Sequence, residues 1–325
     1  MNTTTNGSSC STPLNPTAQK IGETFAYCLI FVVSLVGNSF IAVIVYKTQT
    51  MRKPINYFIT NMAMSDLLFP IFLFPRNLTD LYVDYQWLIS GPLGQALCKL
   101  VHFLASVSSF VSIQSLVLIA VDRFGAVVFP LRSPLISSKL CPFFILATWI
   151  VALALSSPHV FAHKIVEYAD GVVSCDMQWS EAFGESSSEV NYFFSGHVVF
   201  FYIPTALLLI LYSIIVIKLK TQKIPGEQSN NAEEQRAKRN RKVLKMAIVI
   251  VVGFLLCWIP LSMTHLLLVF ERDRWYNCDI RLFYEIVYFM AVSNSAINPC
   301  ICFIFSGNYR QGLKRLLKCF NAAQQ

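Results

Sequence analysis

The sequence contains few charged residues. Only 14% of its 325 residues are Asp, Glu, Lys or Arg, whereas 55% are hydrophobic. Its mean hydropathy is positive. A soluble protein needs a larger polar fraction to cover its surface. The scarcity of charge therefore excludes an ordinary soluble protein with one or two hydrophobic cores.

Long apolar segments fill most of the chain. A helix that crosses a bilayer needs about 20 mostly apolar residues. Seven segments meet this requirement, at about 22–46, 55–82, 97–127, 140–161, 191–217, 243–270 and 281–305. We therefore predict an all-α membrane protein with a seven-transmembrane helix bundle at 22–305, an extracellular N-terminal tail at 1–21 and a cytoplasmic segment at 306–325. No room remains for a separate enzymatic domain, so we predict no enzymatic activity.

Lys and Arg are distributed unequally, and this sets the predicted orientation. Cytoplasmic connections of membrane proteins carry an excess of both residues. The connections after the first, third and fifth segments, together with the C-terminal segment, hold 19 of the 26. We predict an extracellular N-terminus, a cytoplasmic C-terminus and residence in the plasma membrane.

The net charge of +8 then indicates cytoplasmic anchoring rather than nucleic-acid binding, since no aromatic-basic interleaving is present. No basic start precedes an apolar run, which predicts no cleaved signal peptide.

The predicted sides of the membrane also sort the cysteines. Cys98 opens the third segment and Cys175 lies in the outer loop before the fifth. Both face an oxidising space, so a disulfide between them is the leading interpretation. A second bridge between Cys10 and Cys278, which are also on the outer side, stays open.

Three positions are candidates for covalent modification. Asn2 and Asn6 stand in N-x-S/T motifs of the outer tail, which predicts glycosylation. The run "NYRQGLKRLLKCF" alternates apolar and basic residues like an amphipathic helix that lies on the inner surface of membrane lipids. Cys319 in this run is a candidate for palmitoylation.

The outer loop near 163–189 predicts a β-hairpin. Val, Ile and Tyr residues flank Asp170-Gly171, a pair typical of two-residue hairpin turns. The hairpin would form a lid pinned by Cys175. The loop is also acidic, which either keeps it soluble or attracts a cationic ligand.

Each of the seven segments carries its own short motif or motif residue. They are Asn38 in "GN", Asn61 and Asp66 in "NMAMSDLL", Cys98 and Arg123 in "DRF" on the third, Trp149 on the fourth, Pro204 and Tyr212 on the fifth, Phe254, Trp258 and Pro260 in "FLLCWIP", and Asn298 and Pro299 in "NSAINP". In this order and spacing the chain resembles the rhodopsin-like (class A) G-protein-coupled receptors over nearly its whole length.

The resemblance implies a sodium pocket in the middle of the bundle. It would consist of Asp66, Ser112, Asn294 and Ser295, with Asn298 bridging to Asp66. Carboxylate, hydroxyl and amide oxygens suit a hard cation. The same Ser and Asn side chains also form hydrogen bonds between membrane helices, worth about 0.6 kcal/mol each, and both roles can hold together. No other cofactor is expected.

The resemblance also implies an activation switch and a partner. Arg123 would pair with Asp122 at rest and turn toward a heterotrimeric G protein on activation, and Leu131 would contact that G protein. Phe254 and Trp258 lie four residues apart on one helical face. Pro260 and Pro299 are the expected kinks.

The chain departs from the family pattern at three positions. Phe124 replaces a tyrosine, which is a mild change. Asn240 stands where many members carry an acid that restrains Arg123, so we expect a weaker resting restraint. Cys302 occupies the position of a tyrosine that reaches Tyr212 through water on activation, and a thiol is too short for that reach.

Two absences narrow the ligand class. The seventh segment has no Lys for a retinal Schiff base, and Ala105 stands where amine receptors carry an acid. The stretch "KPINYFITNMAMSDLL" resembles the neuropeptide receptors of the neuropeptide Y, galanin, tachykinin and RFamide group. We therefore predict a peptide ligand, cationic and amidated, with a lipid or other small molecule as the alternative and a transporter or channel as a distant third. The expected ligand-binding residues are Arg76, His102, Ser106, Ser109, Asp176, His197, Leu261, His265, Tyr284 and Tyr288.

Overall fold

Seven helical stretches of the structure are long and apolar enough to cross a membrane. The computed structural model describes residues 16–83, 86–129, 135–169, 171–221, 231–270 and 278–322. The stretches, called spans 1 to 7 below, are Thr17–Lys47, Pro54–Val83, Gly91–Val128, Cys141–Ala162, Glu189–Thr221, Arg241–Leu268 and Asp279–Phe305. Each overlaps a predicted segment, which confirms the seven-span bundle.

The helices divide some spans into pieces. In chain order they are α1 (Pro16–Lys47), α2 (Pro54–Asp66), α3 (Phe74–Val83), α4 (Gly91–Val128), α5 (Cys141–Ser156), α6 (Pro158–Ala162), α7 (Trp179–Phe183), α8 (Glu189–His197), α9 (Ile203–Thr221), α10 (Asn231–Phe270), α11 (Cys278–Phe305) and α12 (Gly307–Ala322). Wide π-helical turns interrupt span 2 at Phe69–Leu73 and span 5 at Val198–Tyr202. Pro70 lies in the first turn and Pro204 follows the second, where their missing N–H groups disfavour a regular α-helical turn.

The hairpin predicted before span 5 is present. Strands β1 (His163–Glu167) and β2 (Val173–Met177) pair antiparallel, with Ile165 opposite Cys175. The predicted two-residue turn is wrong. Tyr168 N–H donates to Val172 O and Gly171 N–H donates to Tyr168 O, both at 2.9 Å, so the loop holds three residues. Gly171 has a φ of 80°, the left-handed conformation that a three-residue loop requires.

Several bonds hold the hairpin on the bundle. Cys98 and Cys175 form the predicted disulfide. The Gln95 amide donates to His163 O and accepts from Ile165 N–H, both at 3.1 Å, and so fixes β1 on span 3. Trp87 N–H donates to Val173 O at 2.7 Å. We call this end of the bundle the hairpin end.

The opposite end, called the α12 end, carries the predicted amphipathic helix. Tyr309, Gly312 and Leu316 are buried on one side of α12. The Tyr309 hydroxyl donates to Asn56 Oδ1 at 3.5 Å, so the helix is tied to span 2. Its basic residues are exposed on the other side: Arg310, Lys314, Arg315 and Lys318.

Some predicted positions lie outside the part of the chain that the structure describes. They are Asn2, Asn6, Cys10 and Leu131, together with the side chains of Asn240, Cys278 and Cys319. The predictions made for them stay predictions.

Candidate functional site

A cavity of about 490 Å³ lies inside the hairpin half of the bundle, between spans 3, 4, 5 and 6. Five of the ten predicted ligand-binding residues line it. They are Ser106, Ser109, His197, Leu261 and His265. Its volume and its largely apolar lining are typical of ligand-binding cavities. Phe254 and Trp258 line its deepest part.

The sequence missed other residues of the same cavity. Span 5 contributes Tyr192, Phe193 and Phe200, span 3 contributes Phe110 and span 6 contributes Ser262. None of the described lining residues is Asp, Glu, Lys or Arg. The cavity therefore suits an uncharged or aromatic group more than a charged one.

Three of the other predicted ligand residues belong to a contact region between spans 2 and 7. Arg76 pairs with Asp80 at 3.0 Å and lies over the Trp87 ring at 5.1 Å. The Tyr288 hydroxyl donates to Asn77 Oδ1 at 3.1 Å. Tyr284 stacks on Tyr288 with ring centroids 6.0 Å apart. None of these residues is part of the cavity lining.

His265 connects the cavity to this contact region. Its Nε2 lies 3.4 Å from the Tyr284 hydroxyl, and its ring centroid lies 6.1 Å from that of His197. A ligand that contacts His265 from the cavity would therefore also act, through His265, on Tyr284 of span 7.

Asp176 lies on β2 and is engaged within the hairpin. It accepts hydrogen bonds from the Tyr168 hydroxyl at 2.7 Å and from Ser174 Oγ at 2.9 Å. The bond to Asp176 raises the pKa of Tyr168, because the carboxylate favours the protonated phenol. Asp176 is not in the cavity lining, so it can meet only a ligand group that stays near the hairpin.

A cluster of three histidines lies beneath the hairpin. His102 stacks on His163 with ring centroids 4.1 Å apart, and His159 lies 5.2 Å from His163. His163 Nδ1 lies 3.1 Å from His159 O. Only His102 was predicted, as a ligand residue. The others belong to span 4 and β1, and no sequence spacing could show where the hairpin would place them.

Acidification is expected to weaken the folded state through His163. Burial lowers its pKa below the ordinary 6.5, because the charged imidazolium loses hydration. As the pH falls, the unfolded chain therefore binds a proton at a higher pH than the folded chain does. The free energy of unfolding then decreases from the ordinary pKa of histidine down to the lowered pKa of His163. The melting temperature should be lower at about pH 5.5 than at about pH 7.5, and His163→Phe should reduce this difference. An identical pH dependence in the variant would contradict the assignment.

The residues of the predicted aromatic switch lie directly below the cavity. The Phe254 and Trp258 rings stack at a centroid distance of 6.0 Å, and Phe69 on span 2 lies 6.2 Å from Trp258. Phe254 is buried in the main hydrophobic core. A ligand that moves Trp258 would therefore displace a side chain packed against the core.

Asp66 is the centre of a buried polar network. Its carboxylate is 1% exposed and accepts from Ser112 Oγ at 2.9 Å and from Asn298 Nδ2 at 2.8 Å. The Oδ1 atom of Asn294 is buried and has no hydrogen-bond partner among the described residues. The Ser295 hydroxyl donates instead to Val292 O at 3.0 Å. Among the described residues, the predicted sodium ligands therefore divide into the hydrogen-bonded pair Asp66 and Ser112, and Asn294 and Ser295, whose side chains are not seen to bond to Asp66.

Further motif residues join the spans around this network. Asn61 Nδ2 donates to Ser115 Oγ at 2.9 Å, and its Oδ1 accepts from Trp149 Nε1 at 2.8 Å. Asn38 Nδ2 donates to Ser295 O at 2.9 Å. These bonds connect spans 1, 2, 3, 4 and 7.

Arg123 pairs with Asp122 at the α12 end of span 3. Its Nε donates to Asp122 Oδ2 at 3.0 Å, and the carboxylate is buried. The contact is the one expected for a resting state. Its role in activation stays a prediction.

The motifs in these positions agree with a family comparison. The family described as 7 transmembrane receptor (rhodopsin family) matches residues 37–301. The chain belongs to the rhodopsin family of seven-transmembrane receptors. Members of this family are receptors and not enzymes, which agrees with the predicted absence of an enzymatic domain.

Individual relatives of this receptor are similar over most of its length. The QRFP-like peptide receptor of Branchiostoma floridae is 31% identical over 312 residues, 94% of this chain and 80% of that protein. The RYamide receptor of Drosophila melanogaster is 30% identical over 293 residues, 90% of this chain and 62% of that protein. The substance-K receptor of Homo sapiens is 28% identical over 295 residues, 90% of this chain and 72% of that protein.

The α12 end of span 7 in this rhodopsin-family receptor holds Cys302, the predicted departure from the family pattern. Cys302 is fully buried in the core, and so is Tyr309 on α12. The Tyr212 hydroxyl is buried and has no hydrogen-bond partner among the described residues. A tyrosine at position 302 could supply such a partner, and a cysteine thiol cannot reach as far.

Proposed function

We propose that this receptor binds an extracellular peptide and activates a heterotrimeric G protein. The proposal rests on the cavity, which lies beneath a disulfide-anchored hairpin and ends on Trp258 and Phe254. A ligand that fills the cavity can press on Trp258 and Phe254. It would thereby move the hydrophobic core residues packed against this pair on the side of the α12 end. The relatives named as receptors for peptides, among them the QRFP-like peptide receptor, support the ligand class.

The charges at the hairpin end support a cationic peptide. The segment from β1 to span 5 carries acidic side chains, listed in order as Glu167, Asp176, Glu181, Glu185 and Glu189. A cationic ligand would be drawn toward this end. The cavity, whose described lining has no charged residue, would then receive an uncharged part of the peptide, for which an amidated end is suitable.

The remaining parts of the function follow from the predicted orientation. The hairpin end would face the extracellular side, and α12 would lie on the inner membrane surface with its exposed basic residues near anionic lipid headgroups.

Asp66, Ser112 and Asn294 would hold an allosteric sodium ion, because their oxygen atoms suit a hard cation and Asn294 Oδ1 is buried without a hydrogen-bond partner among the described residues.

A screen of short peptides tests the proposed function. Amidated peptides with and without basic residues would be added to membranes that contain the receptor and purified G proteins, and nucleotide exchange would be measured. At least one basic amidated peptide should stimulate exchange. His265→Ala should then weaken its potency about tenfold, whereas Leu256→Ala, at an exposed position of the same span, should not. A response to lipids and to no peptide would overturn the proposal.

Restoring the usual tyrosine at position 302 is expected to strengthen signalling. The Cys302→Tyr side chain would reach toward Tyr212 in the active arrangement. Because Cys302 is 0% exposed, the larger ring would also be crowded in the present arrangement, at a cost of about 1–3 kcal/mol. Both effects favour the active state, so ligand-stimulated nucleotide exchange should rise. Cys302→Ser should lack this gain, and equal or weaker exchange in Cys302→Tyr would contradict it.

A further inference from the structure

The seam between spans 4 and 5 is bridged near the hairpin end. The Tyr192 hydroxyl of span 5 donates to Leu155 O of span 4 at 3.0 Å, and the rings of Tyr192 and His159 lie 6.4 Å apart. Tyr192 therefore faces span 4. A residue four positions later in α8 lies on the same helical face, one turn further from the hairpin end.

That residue is Gly196, and it leaves the seam open. A Cβ atom at position 196 would meet no atom within 4 Å. Gly196 nevertheless lines the cavity. One further turn along, Phe200 packs against Phe110 of span 3 at a ring distance of 5.6 Å. The open space beside Gly196, called the aperture below, therefore lies between Tyr192, which faces span 4, and Phe200, which packs against span 3.

The cavity passes through this aperture to the outside of the bundle. Ser195, Gly196 and His197 are consecutive, and all three line the cavity. Consecutive residues of an α-helix point about 100° apart, so these three cover about 200° of the helix surface. His197 is directed toward His265 of span 6, whereas Ser195 is exposed. The cavity thus continues from the interior around span 5 to its outer surface.

The outer surface at this level is apolar. Val199, which also lines the cavity, is 45% exposed, and Ile203, about one turn further along span 5, is 56% exposed. Exposed apolar residues in the middle of a membrane span contact lipid chains. The mouth of the aperture therefore opens toward the bilayer.

We propose that the receptor admits a second ligand from the bilayer, an uncharged lipid-soluble molecule that enters past Gly196 and occupies the cavity above Trp258. No described lining residue carries a fixed charge, which excludes strong binding of an ion. Hydroxyls of Ser106 and Ser109 inside the cavity can orient a small polar group. The cavity is also the one proposed for the uncharged part of the peptide, but its photolabelling needs neither peptide nor G protein, so this test and the peptide screen can fail separately.

Two photoreactive probes test whether the cavity admits an uncharged lipid-soluble molecule in preference to a charged one, and variants of the aperture then test the route. The first is an uncharged aryl diazirine, and the second is the same compound carrying a trimethylammonium group. Each would be irradiated with the purified receptor in phosphatidylcholine nanodiscs, and labelled residues would be mapped by mass spectrometry. The uncharged probe should label Phe110 and Phe254 inside the cavity at least about fivefold more than the charged probe.

Variants that fill the aperture should exclude the uncharged probe. Gly196→Phe should lower labelling of Phe110 and Phe254 about fivefold. Val199→Trp alters the exposed mouth without changing Gly196, and it should give the same result if Gly196→Phe does not fold. Gly22→Phe is the matched control, since a Cβ at Gly22 on span 1 also meets no atom within 4 Å. Its labelling should equal that of the unaltered receptor.

Three results would overturn the proposal. One is equal interior labelling by both probes, which would place the entrance at the aqueous end. Another is full interior labelling in folded Gly196→Phe or Val199→Trp. The third is an unaltered receptor in which Phe110 and Phe254 are not labelled at all.

Discussion

Cys98→Ser is expected to lower the melting temperature of the receptor by about 10 °C and to remove most high-affinity peptide binding. The disulfide joins residues separated by 77 positions, and a loop of this length is worth about 4 kcal/mol. Cys98 is fully buried, so a serine hydroxyl would also lack water. The Gln95 and Trp87 hydrogen bonds and the stacking of His102 on His163 would then remain to hold the hairpin over the cavity.

The comparison of single and double variants makes this prediction specific. Cys175→Ser should have the same effect as Cys98→Ser, and the double variant should be no worse, because one bond is lost in each case. Cys28→Ser removes a free thiol of span 1 and should melt like the unaltered receptor. Additive losses in the double variant would show that each cysteine acts separately.

The positions of the spans could be predicted from the sequence because a single physical demand dominates them. The bilayer requires long apolar helices, and each of the seven stretches satisfies that demand on its own. Which faces meet inside the bundle depends on smaller effects. The π-helical turns at Phe69–Leu73 and Val198–Tyr202 rotate the hairpin halves of spans 2 and 5 relative to a regular helix.

The candidate ligand residues illustrate this limit. Ser106, Ser109, His197, Leu261 and His265 line the cavity, whereas Arg76 and Tyr288 face contacts between spans 2 and 7. Their roles in ligand binding stay predictions. The sequence does not show whether each of these side chains points into the cavity or toward a neighbouring span. Gly196 could not be found at all, because a glycine marks the aperture only once the distance to span 4 is known.

The buried polar residues were easier to place because burial leaves them few options. A carboxylate in the middle of a span must find donors, and Asp66 finds Ser112 and Asn298. Ser295 has a carbonyl of its own helix within reach and donates there. A hydroxyl can satisfy itself locally in a helix, and a carboxylate cannot.

Sodium is expected to weaken agonist binding to the unaltered receptor, and Asp66→Asn is expected to remove this effect. Sodium bound at Asp66 would favour the resting arrangement, in which Asn298 bonds to the same carboxylate, so raising NaCl should weaken agonist binding about tenfold. The variant lacks the negative charge that holds the cation. Its agonist affinity should therefore be the same with and without sodium, as measured by competition binding.

The variant should keep its fold, because the existing hydrogen bonds can be remade. Ser112 can donate to the new amide oxygen as it donates to Asp66 Oδ1. Asn298 Nδ2 would face an amide nitrogen in one orientation, but Asn298 Oδ1 is buried without a partner among the described residues and can accept after the amide turns over. A loss of the sodium effect would then report the missing charge and not a damaged bundle.

Two controls separate a specific ion from ionic strength. Choline chloride at the same concentration should leave agonist affinity unchanged in the unaltered receptor, since choline is too large for a site between Asp66 and Asn294. Asp80→Asn removes another acid of span 2, one that pairs with Arg76, and it should keep the sodium response. An equal sodium response in Asp66→Asn and in the unaltered receptor would place the ion elsewhere, and Asp66 would then serve only to hold spans 2, 3 and 7 together.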